Sequence, residues 1–171
     1  YLALAAFLII AAVLYAIFRS AALTAQILLN LPFSFIGGVF ALGLTGVPLS
    51  VASLVGFVAL AGIAARNGIL MISHFEHLMR VEGAPFSLET VVRGALERLT
   101  PVLMTAGTAI LALAPVLLSG SDAPGKELLF PVALVITGGL CSSTLLDLMI
   151  TPVIYYHVAR RWKLYPGEAE L

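Results

Sequence analysis

Residues 50–79 read SVASLVGFVALAGIAARNGILMISHFEHLM, and this segment decides the class of fold. No charged residue precedes Arg66 in it, and a helix of about 20 apolar residues is enough to cross a bilayer. Arg66 lies about 14 residues, or about 20 Å of helix, from either end, too far for its side chain to reach the water layers. We therefore expect a membrane-spanning helix with a cation near its middle that faces protein or water instead of lipid.

The composition extends this interpretation to the whole chain. Of the 171 residues, 61% are hydrophobic and only 11% are charged, whereas a soluble domain carries about 25% charged residues. The apolar residues form five blocks, at residues 2–18, 21–45, 50–79, 99–119 and 128–158. The sequence thus predicts an all-α fold, a polytopic transmembrane helix bundle with five spans.

The distribution of basic residues predicts the orientation of the bundle. They follow the first, third and fifth blocks, as Arg19, Arg80, Arg93, Arg98, Arg160, Arg161 and Lys163, whereas the other connections contain only Lys126. Since cytoplasmic loops are enriched in Lys and Arg, we expect a cytoplasmic C-terminus. An odd number of spans and an abrupt apolar start indicate the C-terminal piece of a longer protein.

Two polar segments complete the domain organisation. Residues 87–97 alternate charged and apolar residues at helical spacing, with Ser87 as a predicted N-cap, and indicate an amphipathic helix on the cytoplasmic surface. We expect a transmembrane domain over residues 1–163, which contains this helix, and a disordered cytoplasmic tail over residues 164–171.

Arg66 is the basic residue deepest in the spans, and Asp147 is the only acidic residue well inside a span. Arg66 either locks helices together in a structural ion pair or takes part in moving an ion. Asp147 is a possible partner of Arg66; alternatively it hydrogen-bonds locally to Ser143, Thr144 or Thr151. The choice depends on contacts between helices, which the sequence does not specify.

His74 and His77 are three residues apart and are weak candidates for a metal site, because no third ligand is evident nearby. The sequence contains no nucleophile–base motif, phosphate-binding loop or nucleic-acid-binding patch. The sequence therefore does not support a function as an enzyme or as a nucleic-acid-binding protein. We expect membrane lipid to surround the helix bundle.

Three segments carry a resemblance to a known family. LSVASLVGFVALAGIAARNGILMI (residues 49–72), ERLTPVLMTAGTAILALAPVLLS (97–119) and GGLCSSTLLDLMITPVIYY (138–156) resemble, in this order, the last spans of resistance-nodulation-division efflux permeases, and look most like the heavy-metal (Cus/Czc-type) branch. The resemblance implies the eighth to twelfth helices of a twelve-helix permease. It also implies transport powered by the proton motive force, without a bound cofactor.

The same resemblance implies a proton-coupling network. Arg66 and Asn67 stand where the drug-exporting branch has a Lys-Asn pair that contacts acidic residues of the fourth helix, which the chain lacks. Arg98 and Thr105 match the Arg and Thr that join this network, and Asp147 is a second-rank member. Since an arginine does not release its proton, we expect Arg66 to be a fixed counter-charge.

These implications lead to a functional prediction. We expect a multi-pass protein of the bacterial inner membrane that exports heavy-metal cations by proton antiport, as a homotrimer with a periplasmic adaptor and an outer-membrane channel. The alternatives are a drug or amphiphile exporter of the same superfamily and, in another class, a non-transporting membrane scaffold.

Overall fold

The computed structural model describes residues 2–120 and 127–161, and for residues 2–7 only the backbone. Within these ranges every regular element is a helix: α1 (Leu2–Phe18), α2 (Ala21–Thr45), α3 (Val51–Arg80), α4 (Leu88–Leu118) and α5 (Leu129–Arg161). The prediction of an all-α bundle is confirmed. The predicted tail, residues 164–171, and Lys126 lie outside the described residues.

Helices α2 to α5 are long and apolar enough to cross a membrane. Helix α1 has only 17 residues, which is near the lower limit for a span. The boundaries have local causes: Ser20, Ser50 and Ser87 each accept a hydrogen bond from the backbone N–H three residues ahead. Gly46, with φ of 68°, ends α2 in the left-handed conformation that glycine adopts most readily.

Helix α4 joins two segments that the sequence suggested were separate. The amphipathic residues 87–97 do not form a helix of their own, because α4 runs unbroken from Leu88 to Leu118. Its 31 residues extend about 46 Å, which exceeds a hydrocarbon core of about 30 Å, so its first turns project beyond the span. Gly94 explains the direction of this projection: its surface lies against Phe75 and Leu78 of α3, and the segment packs on α3.

Helices α2 and α5 approach most closely. A Cβ atom added to Gly138 would lie 2.6 Å from the carbonyl oxygen of Gly37, so these backbones are in contact. The hydroxyl of Ser142 donates to the carbonyl of Ser34 across the same contact, at 3.2 Å. Close approach of this kind, which small residues permit, is the usual basis of helix packing in membranes.

Helix α5 is the central element, since its contacts with α2, α3 and α4 are together the most extensive in the bundle. The rings of fully buried Phe75 and Tyr155 pack with centroids 4.7 Å apart near one end of the bundle, and Leu60 and Val135 pack near the other. Helices α3 and α4 also present large aliphatic side chains outward, including Val58, Leu70, Leu103, Met104 and Leu111. Such a surface is suited to lipid or to other helices.

Candidate coupling site

Arg66 lies close to the middle of the 30-residue α3, and its side chain is exposed at the surface of the bundle. Its neighbour Asn67 is turned inward and is only 4% exposed. Among the residues that the structure describes, Arg66 forms no ion pair. A cation at this depth without a partner needs one from outside the described helices.

A cleft of about 90 Å³ opens beside Arg66 between α3 and α4. It brings together four residues that were predicted to act together, Arg66, Asn67, Arg98 and Thr105. Leu70, Met71, Pro101 and Val102 complete its lining. In the sequence these four residues are related only through a resemblance, whereas in the structure they line one cleft.

The lining of this cleft is cationic. Arg66 and Arg98 both contribute to it, and the lining contains no carboxylate. The Thr105 hydroxyl donates to the carbonyl of Val102 in its own helix, at 2.9 Å, and its oxygen remains able to accept a hydrogen bond. Guanidinium groups bind carboxylates with high preference, so the cleft is suited to an acidic side chain.

Asp147 lies apart from this cleft. It is on α5, is 2% exposed, and its Oδ1 accepts a hydrogen bond from Nδ2 of Asn30 on α2, at 2.9 Å. The Thr151 hydroxyl donates to the same oxygen at 3.5 Å, which is the local hydrogen bond that the sequence left open. No ion pair between Asp147 and Arg66 is found among the described residues, because the contact of α5 with α2 directs the carboxylate toward Asn30.

Asn30 was not predicted from the sequence as a partner of Asp147. Its signal was present, because Gln26 and Asn30 are the two amide side chains of α2 and stand four residues apart, hence on one face of the helix. Gln26 Nε2 donates to the carbonyl of Thr151 at 2.9 Å. Both amides therefore face α5.

The two histidines of α3 bind different carboxylates. His74 contacts Glu97 at 2.9 Å, and His77 lies 3.8 Å from Glu82. Arg93 links the two carboxylates, with nitrogens 2.8 Å from Glu97 and 3.8 Å from Glu82. In the described part of the chain no three His, Cys, Asp or Glu side chains are grouped so that they could hold a metal ion. This chain of polar contacts ties the end of α3 to the beginning of α4.

Comparison with known proteins gives a consistent set of matches. Residues 1–159 match the AcrB/AcrD/AcrF family. The chain is 42% identical to the nickel-cobalt-cadmium resistance protein NccA of Alcaligenes xylosoxydans xylosoxydans, over 92% of the chain and 14% of that protein. It is 41% identical to the cobalt-zinc-cadmium resistance protein CzcA of Cupriavidus metallidurans, over 88% of the chain and 14% of that protein.

A multidrug resistance protein is also similar. The identity to MdtC of Erwinia amylovora is 34%, over 99% of the chain and 17% of that protein. Among solved structures, a heavy metal efflux pump in crystal form II superposes with a TM-score of 0.77 at 39% identity, over 88% of this chain and 15% of that one. The chain thus spans about one seventh of the length of the metal-resistance relatives.

Proposed function

Because this chain belongs to the AcrB/AcrD/AcrF family of resistance-nodulation-division permeases, we propose that it forms the C-terminal transmembrane part of a permease that exports heavy-metal cations by proton antiport. The metal-resistance relatives NccA and CzcA, at 42% and 41% identity, support metal cations over drugs, since MdtC is 34% identical. The resemblance of the heavy metal efflux pump structure supports the same substrate class.

The observation that carries this proposal is the cleft of Arg66 and Arg98, which is cationic, exposed, and free of carboxylates in its lining. In this proposal, an acidic side chain from a helix outside this chain docks against the cleft. The two guanidinium groups hold that carboxylate in its ionised form. Asn67 and Thr105 add a polar edge to the same cleft, from which hydrogen bonds reach the carboxylate.

Proton binding then changes the contact between helices. A pair of unit charges 4 Å apart attracts with about 4 kcal/mol at an effective dielectric constant of 20. Protonation of the carboxylate removes this attraction, whereas Arg66 stays charged because guanidinium does not release its proton at physiological pH. The docked helix shifts against α3 and α4, and this shift drives transport without a bound cofactor.

The same proposal includes the setting of the permease. It is a multi-pass protein of the bacterial inner membrane with a cytoplasmic C-terminus, supported by the basic residues in the last turns of α3 and α5. A homotrimeric assembly, a periplasmic adaptor and an outer-membrane channel are proposed from family membership alone.

The experiment uses the complete gene in a host stripped of its own efflux pumps. Growth inhibition by nickel, cobalt, zinc, cadmium and copper, and by dyes and detergents, is compared for wild type, Arg66→Ala and Arg93→Ala at matched membrane abundance. Arg93→Ala is the control, because Arg93 is exposed and pairs with Glu82 and Glu97 outside the cleft. We expect metal protection in wild type and in the control, and loss of protection in Arg66→Ala.

Each alternative has its own outcome in this experiment. Protection against dyes and detergents without protection against metals makes the permease a drug or amphiphile exporter. Protection against neither supports a non-transporting scaffold. Full metal protection by Arg66→Ala leaves export in place but makes Arg66 a structural residue, and the coupling mechanism is then wrong.

A further inference from the structure

A second polar cluster lies between α2 and α5, outside the cleft of Arg66. Gln26 and Asn30 stand one turn apart on α2, and Asp147 and Thr151 stand one turn apart on α5. Gln26 and Asp147 are each 2% exposed, and Thr151 is 1% exposed. The two helices run antiparallel here, so Gln26 lies opposite Thr151 and Asn30 lies opposite Asp147.

The hydrogen bonds of this cluster leave two acceptors without a donor. Asn30 Nδ2 donates to Asp147 Oδ1 at 2.9 Å and to Thr151 Oγ1 at 3.3 Å, and Gln26 Nε2 donates to the Thr151 carbonyl at 2.9 Å. Asp147 Oδ2 and Gln26 Oε1 are buried and accept no hydrogen bond. An ionised carboxylate only accepts hydrogen bonds, and no donor of the cluster reaches either of these two oxygens.

Among the residues that the structure describes, none provides a compensating charge next to Asp147. Helix α2 contains no titratable side chain. Arg66 of α3 and Arg98 of α4 line the cleft, and Tyr155 of α5 packs its ring against Phe75. No described ion pair includes Asp147. An ionised carboxylate buried in such a place costs far more than a neutral group.

We propose that Asp147 is a second proton-binding site of the permease, which takes a proton on Oδ2 inside the contact between α2 and α5. The proton cancels the uncompensated charge and turns Oδ2 from an acceptor without a donor into a hydroxyl group. Oδ1 then acts as the carbonyl oxygen of a neutral acid, and it accepts from Asn30 and Thr151. A role for this proton in transport rests on the proposed function, whereas the presence of the proton on Asp147 does not depend on it.

This site differs in chemistry from the Arg66 cleft. In the cleft, fixed cations favour an ionised carboxylate. Between α2 and α5, neutral amides and a hydroxyl surround the carboxyl group, which favours the protonated form. A permease with both sites binds protons at two places, one whose environment favours the ionised carboxylate and one whose environment favours the protonated acid.

The test measures protonation directly, by infrared spectroscopy of the complete permease reconstituted in lipid at neutral pH. A protonated carboxyl group has a carbonyl stretch distinct from that of a carboxylate. We expect one such band to be absent from Asp147→Asn, which retains an oxygen acceptor of the same shape. We expect Asn30→Leu to keep the band and move it to higher frequency, because Oδ1 loses its 2.9 Å hydrogen bond.

A matched control and a second variant make the result decisive. Thr45→Val removes a hydroxyl that bonds only within α2, to the carbonyls of Ala41 and Leu42, and leaves the band unchanged. The Asn30→Leu shift assigns the band even if Asp147→Asn does not assemble. A spectrum with no acid band that responds to either substitution overturns the inference, since Asp147 is then ionised.

Metal transport by the same preparations separates this inference from the proposed function. An acid band on Asp147 in a permease that moves no metal supports the inference and contradicts the proposed substrate. Metal export by a permease whose Asp147 has no acid band contradicts the inference and leaves the proposed function standing.

Discussion

The hydrogen bond between Asn30 and Asp147 stabilises the contact between α2 and α5, and its contribution to the free energy of unfolding can be measured. In Asn30→Leu, a side chain of similar size replaces the amide, and Asp147 Oδ1 keeps only the Thr151 hydroxyl at 3.5 Å, a long and weak contact. A buried acceptor left without a donor costs about 1–3 kcal/mol. Interhelical hydrogen bonds in a membrane protein average only about 0.6 kcal/mol, with a maximum of about 1.7, because the unfolded chain in the membrane also finds partners.

Three facts set the expected value within this range. The bond to Asp147 is short, both acceptors are on the central helix α5, and the second bond, to Thr151 Oγ1, is longer at 3.3 Å. We therefore expect Asn30→Leu to lower the free energy of unfolding by about 1–2 kcal/mol, or roughly tenfold in the equilibrium constant. The assay is reversible unfolding of the complete permease in mixed micelles of detergent and dodecyl sulfate.

A double-mutant cycle distinguishes loss of this bond from general damage. Asp147→Leu removes the other partner, and Asn30→Leu combined with Asp147→Leu replaces the polar pair with two apolar side chains. Replacing both partners costs less than the sum of the single changes, because neither member of the pair is left as a buried, unpaired polar group. Additive losses, or an Asn30→Leu variant as stable as the Thr45→Val control, would refute the reasoning.

Two further substitutions test the packing. Gly37→Ala places a methyl group against the Gly138 carbonyl oxygen and the Ser142 side chain, so we expect overpacking to lower the free energy of unfolding by about 1–3 kcal/mol. In Gly43→Ala on the same helix, the added methyl group meets nothing within 4 Å, and the higher helix propensity of alanine raises the free energy of unfolding by up to about 1 kcal/mol. Equal effects of the two glycine changes in the same unfolding assay would contradict the close approach of α2 and α5. Phe75→Ala removes a fully buried ring that contacts Tyr155, and we expect a loss of about 3–5 kcal/mol; a loss below 1 kcal/mol would mean that this cluster is not a packed core.

The sequence by itself determined the helices and the depth of their charges. Apolar blocks of sufficient length predict spans, and the serines before α2, α3 and α4 act as N-caps through contacts only three residues long. The position of Arg66 at mid-span follows from counting residues. The grouping of Arg66 and Asn67 with Arg98 and Thr105 was predictable through the resemblance, because the order of the motifs indicated which helices are neighbours.

Only the tertiary structure decided the partners across helices. Asp147 faces Asn30 and not Arg66, because small residues bring α2 against α5 and so determine which side of α5 each helix covers. Helix α4 continues past its span because Gly94 fits against Phe75 and Leu78 of α3. Spacing along one helix determines the face on which a residue lies. Which helix covers that face depends on how closely two backbones approach, and this distance is a property of the assembled bundle.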